Sequence, residues 1–572
     1  MRLAWWPAGV LAAAILVAGM AGSARAAEPP WTWLWVYAPR NFQVDKGVDD
    51  LIALMGRAKK AGYNGMLIGD SKFGRIADRP DNYYVNLERT RKAAEDLGIE
   101  LVPGVFPVGY SNDILQNNPQ LAEGIAVCDC PMVVSGGKAT VAHPENLLAG
   151  GGFEEMSGKR FAGWDWMDEC AARDTEVKHS GAASVRLEKF RAVASHGNAR
   201  VVRKLALAPW RQYRVDAWIK TQGLAGAGEV SINPIGGGRS LNYARLGVRP
   251  TQDWTQHSIL FNTLDNAEVG LYIGLWGGRE GTLWIDDVSV REVAGVNILR
   301  RDGCPLRVTS EDGRTEYAEG TDFERWEYPK MGRVPWPGGY EVVHPEPPLV
   351  LTAGSRIKDG ETLKVSFYHT VVIYDGQVSG CLVHDEVFTY LEEQVRQIRK
   401  YFAPKKYFMN HDEIRLAGQC ALCRAGGKTA GQLLAENVRR CTGIIRKIAP
   451  EAEVFVWSDM FDPNHNAVDR YYLVGSTFAG SWEGLDPGVR VACWYFEKRD
   501  ESLGFFSKRG HKTILAGYYD ADDVGANVRG WRDAASKVQG AEGLIYTTWR
   551  GEYKDLEAFA KFALEPGQKG AP

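Results

Sequence analysis

The chain has 572 residues, of which 45% are hydrophobic and 24% charged, and its formal net charge is −3 at pH 7. That composition belongs to a globular protein with enough apolar residues for about two to four packed domains. The near-balanced charge gives no reason to expect a nucleic acid or an anionic membrane as partner. Nineteen Trp and 23 Tyr are many for this length, and they favour sugar binding, because pyranose rings have apolar faces that stack on aromatic planes; filling cores is their ordinary alternative use.

In chain order, the first segment reads as an export signal. Arg2 supplies a positive charge, Leu11 to Met20 an apolar run, and Ala24-Arg25-Ala26 a small-x-small cleavage site. Cutting after Ala26 would leave Ala27-Glu28-Pro29-Pro30 as the mature start, with no membrane span remaining, because the run is too short to cross a bilayer. A secreted or periplasmic location is expected.

Trp31 to Pro39 then reads as an aromatic strand, Val48 to Ala61 as a helix, Gly65 to Gly69 as a second strand ending in Asp70, Val85 to Leu97 as a helix, and Glu100 to Phe106 as a third strand ending near Tyr110. Buried strands alternating with amphipathic helices argue for parallel βαβ units. From Asn146 to about Val293 the pattern changes to short alternating stretches such as Ala183 to Leu187, Tyr213 to Ile219, Gly228 to Ile232 and Val269 to Leu275, punctuated by turn residues. This predicts a β-sandwich or jelly roll. A β-rich connector with a Pro-rich run from Pro335 to Pro348 follows. The first rhythm then resumes with a helix over Thr389 to Tyr401, a strand over Tyr407 to Asn410, a long helix over Gly431 to Ala449, and strands over Val454 to Trp457, Val491 to Tyr495, Lys512 to Tyr518 and Gly543 to Trp549. Three strands before the interruption and five after it predict an α/β fold, a (β/α)8 TIM barrel interrupted after its third strand by an all-β jelly-roll domain. The expected division is a signal peptide over 1–26, the first part of the barrel over 27–125, the sandwich over 146–295, the connector over 296–362 and the rest of the barrel over 363–567. The apolar run Leu363 to Tyr368 is surplus to the count of eight and is assigned to the edge of the insertion.

Nine cysteines in an exported chain allow disulfides and leave at least one unpaired. Cys420 and Cys423 form a CxxC, but no second CxxC or paired His follows at zinc-finger spacing. A local disulfide or plain buried thiols are expected there in preference to zinc, with Cys441 a possible partner.

The segment Tyr407 to Arg415 carries the most chemistry. A buried strand ends in Asn410, His411, Asp412, Glu413 and Arg415, and charged groups are rarely buried unless paired. In a β/α barrel the carboxyl ends of the strands hold catalytic groups; capping of a surface helix by Asp412 is the plainer use. Other strand ends carry residues suited to a sugar pocket: Tyr37 and Arg40; Asp70; Trp457 and Asp459; Trp494 and Tyr495; Tyr518, Tyr519 and Asp520; Trp549 and Glu552.

Two resemblances follow from these motifs. Asn146-Leu-Leu-Ala-Gly-Gly-Gly-Phe-Glu-Glu155 at the start of the β block and Thr282-Leu-Trp-Ile-Asp-Asp-Val-Ser-Val290 at its end resemble the jelly-roll carbohydrate-binding modules of the galactose-binding-like superfamily. That resemblance implies a possible structural Ca²⁺ held by Glu154 and Asp286. The barrel, with His411-Asp412-Glu413 at its fourth strand and Trp at later strand ends, resembles family 20 glycoside hydrolases, although Asn410-His411 stand where that family carries Gly-Gly. The resemblance implies an exo-acting β-N-acetylhexosaminidase with Glu413 as general acid/base and Asp412 orienting a 2-acetamido group that attacks the anomeric carbon, without a catalytic cofactor. It further implies Tyr495 or Tyr518 as the residue holding the acetamido oxygen, and Trp457, Trp494 and Trp549 as pocket walls. Mutual repulsion is expected to keep Glu413 protonated.

Three other readings stand beside this one. A two-carboxylate glycosidase would pair Glu413 with Asp459, Asp520 or Glu552. A non-catalytic glycan-binding protein would have no need of the dyad. A metal-dependent hydrolase would need His411, Asp412 and His465, which are scattered in sequence. On every reading but the last, the expected partner is a glycan or polysaccharide.

Overall fold

The computed structural model describes residues 31–565 apart from 194, 227–228, 333–335 and 337–338. The export signal over residues 1–26 lies outside the described residues, as does part of the Pro-rich run.

Eight parallel strands close into a barrel in chain order: β1 (Trp33–Tyr37), β2 (Gly65–Ile68), β3 (Glu100–Val105), β4 (Lys406–Met409), β5 (Glu453–Trp457), β6 (Val489–Cys493), β7 (Thr513–Tyr518) and β8 (Ala541–Thr547). Closure is made by β8 pairing with β1 in register Leu34 to Leu544. The interior is filled by unusually large side chains for so tight a space: Trp33, Trp35, Phe408, Phe455 and Trp457 pack with Ala492, Ala516 and Ile545. Glycine makes the room. A Cβ on Gly65 would sit 2.5 Å from the Trp35 indole, and one on Gly543 would sit 2.9 Å from the Trp33 Cβ. Bulk on one strand is thus matched by its absence on the next, which is how an interior reaches native density.

Helices cover the outside: α1 (Asp45–Ala61), α2 (Asp81–Leu97), α3 (Asp385–Phe402), α4 (Ala430–Ile448), α5 (Arg499–Lys508), α6 (Val524–Ala535) and α7 (Leu556–Leu564). Their ends follow from local sequence. Gly62 closes α1 in the left-handed region at φ 102°. The two bonds from Gly62 and Tyr63 back to Lys59 and Ala58 satisfy the final carbonyls. Thr429 and Gln432 form a reciprocal capping box at the start of α4.

Between β3 and β4 the chain builds antiparallel sheets. Its outgoing strand, Ile125–Ser135, pairs with its returning strand, Thr362–His369. These two lie at the centre of one sheet that also holds Lys138–Val141, Arg307–Ser310 and Leu349–Val350. The range from 363 expected to begin the second part of the barrel is corrected accordingly: Leu363 to Tyr368 belong to this sheet, and the helix that precedes β4 starts at Asp385. Two five-stranded sheets, one centred on Glu280–Val293 and one on Glu268–Trp276, face each other as a sandwich. Val185, Val215, Ile219, Leu271, Ile273 and Ile285 fill the space between them. Leu416 and Leu473, from loops at the barrel's carboxyl end, pack into that same core. The insertion therefore rests directly on the barrel face that carries the acidic motif.

Candidate active site

The chain leaves β4 at Met409 and turns sharply. Glu413 adopts φ +49°, a conformation that costs a non-glycine residue about 1–3 kcal/mol and persists only where surrounding contacts fix it. Those contacts are present. The Glu413 N–H donates to Asp459 Oδ2 at 2.9 Å, and its carbonyl accepts from Gln377 Nε2 at 2.8 Å. Gly109 lies so close beneath the loop that a Cβ there would stand 2.0 Å from the Asp412 carbonyl oxygen.

Three carboxylates meet at this turn. Asp412 is half-buried, and its carboxyl is pushed up to about 8, first by burial and then by the charges of Asp459 and Glu413. Asp459 is fully buried and pushed up to about 6, again by burial first. Three donors hold it: the Glu413 N–H, Asn466 Nδ2 at 2.9 Å and Trp494 Nε1 at 3.3 Å. Glu413 is tied differently. Arg415 Nη2 lies 2.5 Å from Oε1, and the Tyr110 hydroxyl donates to Oε2 at 2.5 Å. Arg415 is itself buried, bonded to Gln377 and flanked by Tyr374 and Tyr472, whose rings lie 4.7 and 5.1 Å from its guanidinium carbon. Glu413 has a cationic and a hydroxyl partner on its two oxygens, whereas burial and then the charges of Asp459 and Glu413 push the Asp412 carboxyl up.

The aromatic surface is continuous. Tyr37 packs edge-on against Trp457 at 6.1 Å and against Trp549 at 5.7 Å. Trp549 stacks on Tyr519 at 5.8 Å and meets Trp494 at 6.3 Å. Burial, followed by the charge of Asp412, pushes the Tyr37 phenol above its ordinary range. Trp457 forms the buried floor, while Trp549 is 55% exposed and stands as a rim.

Other predicted members lie elsewhere. His411 is fully buried between Phe106 and Phe461 and bonded to Asn437 at 3.1 Å. Burial lowers it to about 4, so it is a neutral core residue and not a substrate contact. The Asn410 backbone joins Val105 and Val108. Asp70 accepts from the backbone of Phe42 and Lys72 and pairs with the Lys72 ammonium at 3.1 Å, holding its own loop. Tyr518 points into the layer between strands and helices, donating to Asp555 at 2.5 Å and stacking on Tyr546, so it cannot hold a ligand at the mouth. Tyr495 stacks on His465 at 4.5 Å, beside Trp494. Arg40 lies over Tyr553 at the outer edge. Glu552 is exposed and faces Lys554 at 3.8 Å. Asp520 accepts from Thr548 and from the N–H groups of Trp549 and Arg550, fixing the loop that carries the rim.

Gln377, Tyr374 and Tyr472 were not foreseen. They reach the turn from the returning arm of the insertion and from the loop after β5, and no local pattern marks them. Tyr110 and Asn466 each sit a few residues beyond a recognisable strand end, which is the one available signal.

In the sandwich, Glu154 Oε2 accepts from the Ala182 N–H at 2.7 Å, and Asp286 Oδ2 accepts from His179 and Ser180 at 2.9 and 3.2 Å. Both carboxylates therefore hold one turn by its N–H groups. His179 stacks on Trp218 at 3.8 Å with Trp254 beside it. Trp164 and Trp284 are buried, and Trp166 is exposed.

No family model matches the chain, and no curated protein matches it. Among solved structures, it is similar to one described as a glycoside hydrolase family 20 β-N-acetylglucosaminidase, at 9% identity over 94% of this chain and 70% of that one, with a TM-score of 0.35. It is also similar to a rhamnosidase from Novosphingobium sp. PP1Y, at 10% identity over 95% of this chain and 59% of that one, with a TM-score of 0.34. A family 16 carbohydrate-binding module is similar at 19% identity over 25% of this chain and 99% of that one, with a TM-score of 0.18. At these identities and scores the similarities assign no activity to this chain, and the reading rests on the geometry of the barrel mouth.

Proposed function

We propose that the chain is an exported glycoside hydrolase of the exo-acting β-N-acetylhexosaminidase type, built on an interrupted (β/α)8 TIM barrel with an inserted carbohydrate-binding-like module. The observation that carries this reading is the turn after β4, which brings Asp412 and Glu413 together with Asp459 at a mouth walled by Tyr37, Trp457, Trp494 and Trp549.

Cleaving a glycosidic bond requires a proton delivered to the leaving oxygen and an acceptor that stabilises or attacks the anomeric centre. Asp412 holds a proton at neutral pH and is half-exposed, so it serves as general acid. Glu413 presents carboxylate oxygens fixed by Arg415 and Tyr110 and orients the 2-acetamido N–H, while the acetamido oxygen attacks the anomeric carbon as its bond to the protonated leaving oxygen breaks; water, giving a proton to the now ionised Asp412, then opens the oxazolinium ion. These roles are the reverse of those the family resemblance implies. The aromatic walls take the apolar faces of the sugar. The partners that a two-carboxylate alternative would give Glu413 are less suited: Asp459 is fully buried, Asp520 accepts from N–H donors and Glu552 is exposed beside Lys554.

The test is hydrolysis of aryl β-N-acetylglucosaminide and β-N-acetylgalactosaminide beside the matching glucoside and galactoside. Cleavage confined to the N-acetyl sugars is expected. Cleavage of the plain glycosides would remove the acetamido step, and failure on all four would remove the reading. A dinitrophenyl leaving group needs no proton, so Asp412→Asn should keep far more activity on that substrate than Glu413→Gln does. The opposite ranking would return the acid role to Glu413.

A further inference from the structure

A second cluster lies away from the aromatic mouth and takes no part in its chemistry. Cys381, Cys420, Cys423 and Glu123 are all buried, and their donor atoms lie within 4.8 Å of one another. The Cys381 sulfur is 3.8 Å from the sulfurs of both Cys420 and Cys423, and the Cys423 sulfur is 3.5 Å from Glu123 Oε2. A disulfide needs a separation of about 2.0 Å, so none joins these residues. Zinc bound tetrahedrally, with Zn–S near 2.3 Å and Zn–O near 2.0 Å, requires S···S edges of about 3.8 Å and S···O edges of about 3.5 Å. The three separations fall on those edges.

The surroundings fit the same conclusion. Glu123 Oε1 accepts from the N–H groups of Gln419 and Cys420 at 2.7 and 2.9 Å, which fixes the carboxylate and leaves Oε2 facing the sulfurs. Held ligands of this kind are what metal sites require. Three thiolates and a carboxylate carry about four negative charges, of which zinc cancels two. The Arg301 guanidinium, anchored on the carbonyls of Gln120 and Ala122, stands beside the thiols and offsets a third. Sulfur-rich tetrahedral donors disfavour calcium and magnesium.

We propose that Cys381, Cys420, Cys423 and Glu123 bind one structural Zn²⁺. Four protein ligands and full burial leave no open position, so the ion has no catalytic role. Its position explains why the fold would need it. Glu123 stands where the chain leaves the barrel for the insertion, Cys381 where it returns, and Cys420 and Cys423 just after the turn that carries Asp412 and Glu413. One ion ties all three segments. CxxC spacing alone could not show this, because the other donors are distant in sequence, and Cys441, the partner considered from sequence, bonds instead within its own helix to Asn437.

The test is metal analysis of the full chain produced with zinc in the medium and purified without chelator. About one zinc per chain is expected by mass spectrometry, lost in Cys423→Ser and kept in Cys128→Ser, whose thiol is exposed and outside the cluster. Wild type stripped by a chelator and given Co²⁺ is expected to show thiolate-to-cobalt charge-transfer absorption, a readout that does not depend on the variant folding. Wild-type protein without zinc and without that absorption overturns the proposal, as does a different metal in its place or a native disulfide joining any two of these cysteines.

Discussion

The barrel's carboxyl face has two acidic corners, and they differ in how their carboxylates are satisfied. At the ends of β7 and β8, Asp520 accepts from Thr548, Trp549 and Arg550, and Asp555 accepts from Tyr518. Each carboxylate there has its own donors and braces a loop. At the ends of β4 and β5, half-buried Asp412 and fully buried Asp459 stand beside Glu413, and burial with neighbouring carboxylate charge raises both. The residue types are the same in the two corners. The difference teaches that a carboxylate becomes a proton carrier where burial and like charge outweigh the donors available to it, and a structural brace where they do not.

The sharpest way to break this comparison is to substitute in both corners. Asp412→Asn and Glu413→Gln are expected to lower kcat/KM on an aryl β-N-acetylglucosaminide by about 10²–10⁴-fold, whereas Asp520→Asn should leave kcat within a few-fold. Equal losses in the two corners would show that the raised carboxyls are not special.

The pH dependence sharpens the same contrast. With its carboxyl near 8, Asp412 as acid should place the basic limb of the rate profile close to pH 8. Asp459→Asn removes a negative neighbour and should move that limb to lower pH. Between the ordinary carboxylate value of 3.8 and about 8, folded Asp412 keeps a proton that the unfolded chain has released. Stability therefore falls as pH rises through that window. Asp412→Asn should remove that slope and melt higher than wild type at pH 8, although less active. A variant that melts lower at pH 8 would contradict the raised value.

How much of this was legible in sequence follows from where each signal resides. The eight parallel strands and the separate antiparallel β block were legible because buried strands and amphipathic helices have short periods that survive in a local window. The pairing of Ile125–Ser135 with Thr362–His369 was not, since no local pattern records a partner more than 200 residues away. The acidic pair was visible from its place at a strand end, but the groups around it were not: Gln377 and Tyr374 come from the far arm of the insertion. His411 misled for a related reason. A polar residue in a motif reads as functional until its burial between Phe106 and Phe461 is known. The cysteine cluster shows the same limit, because Glu123 and Cys381 join the CxxC only through the fold.

The smaller effects lie in the bracing corner. Asp520→Ala leaves the Trp549 and Arg550 N–H groups and the Thr548 hydroxyl without their acceptor, which should cost about 1–3 kcal/mol in denaturant unfolding. Because Asp520 positions the loop bearing exposed Trp549, KM should rise more than kcat falls. A change in kcat alone would place Asp520 among the reacting groups.

The smallest expected effect concerns Tyr518, which the family resemblance offered as the residue holding an acetamido oxygen. Its hydroxyl donates to Asp555 in the layer between strands and helices, and its ring stacks on Tyr546 at 4.7 Å. Tyr518→Phe keeps the stacking and removes one hydrogen bond to a charged acceptor, a loss of about 1.5–3 kcal/mol. Both kcat and KM on the N-acetyl substrate should stay within twofold of wild type, while Tyr37→Phe, at the floor beside Asp412, should change them more. If Tyr518→Phe instead lowers kcat by tenfold or more with stability unchanged, the β7–β8 corner reaches the substrate, and the division between proton carrier and brace fails at that point.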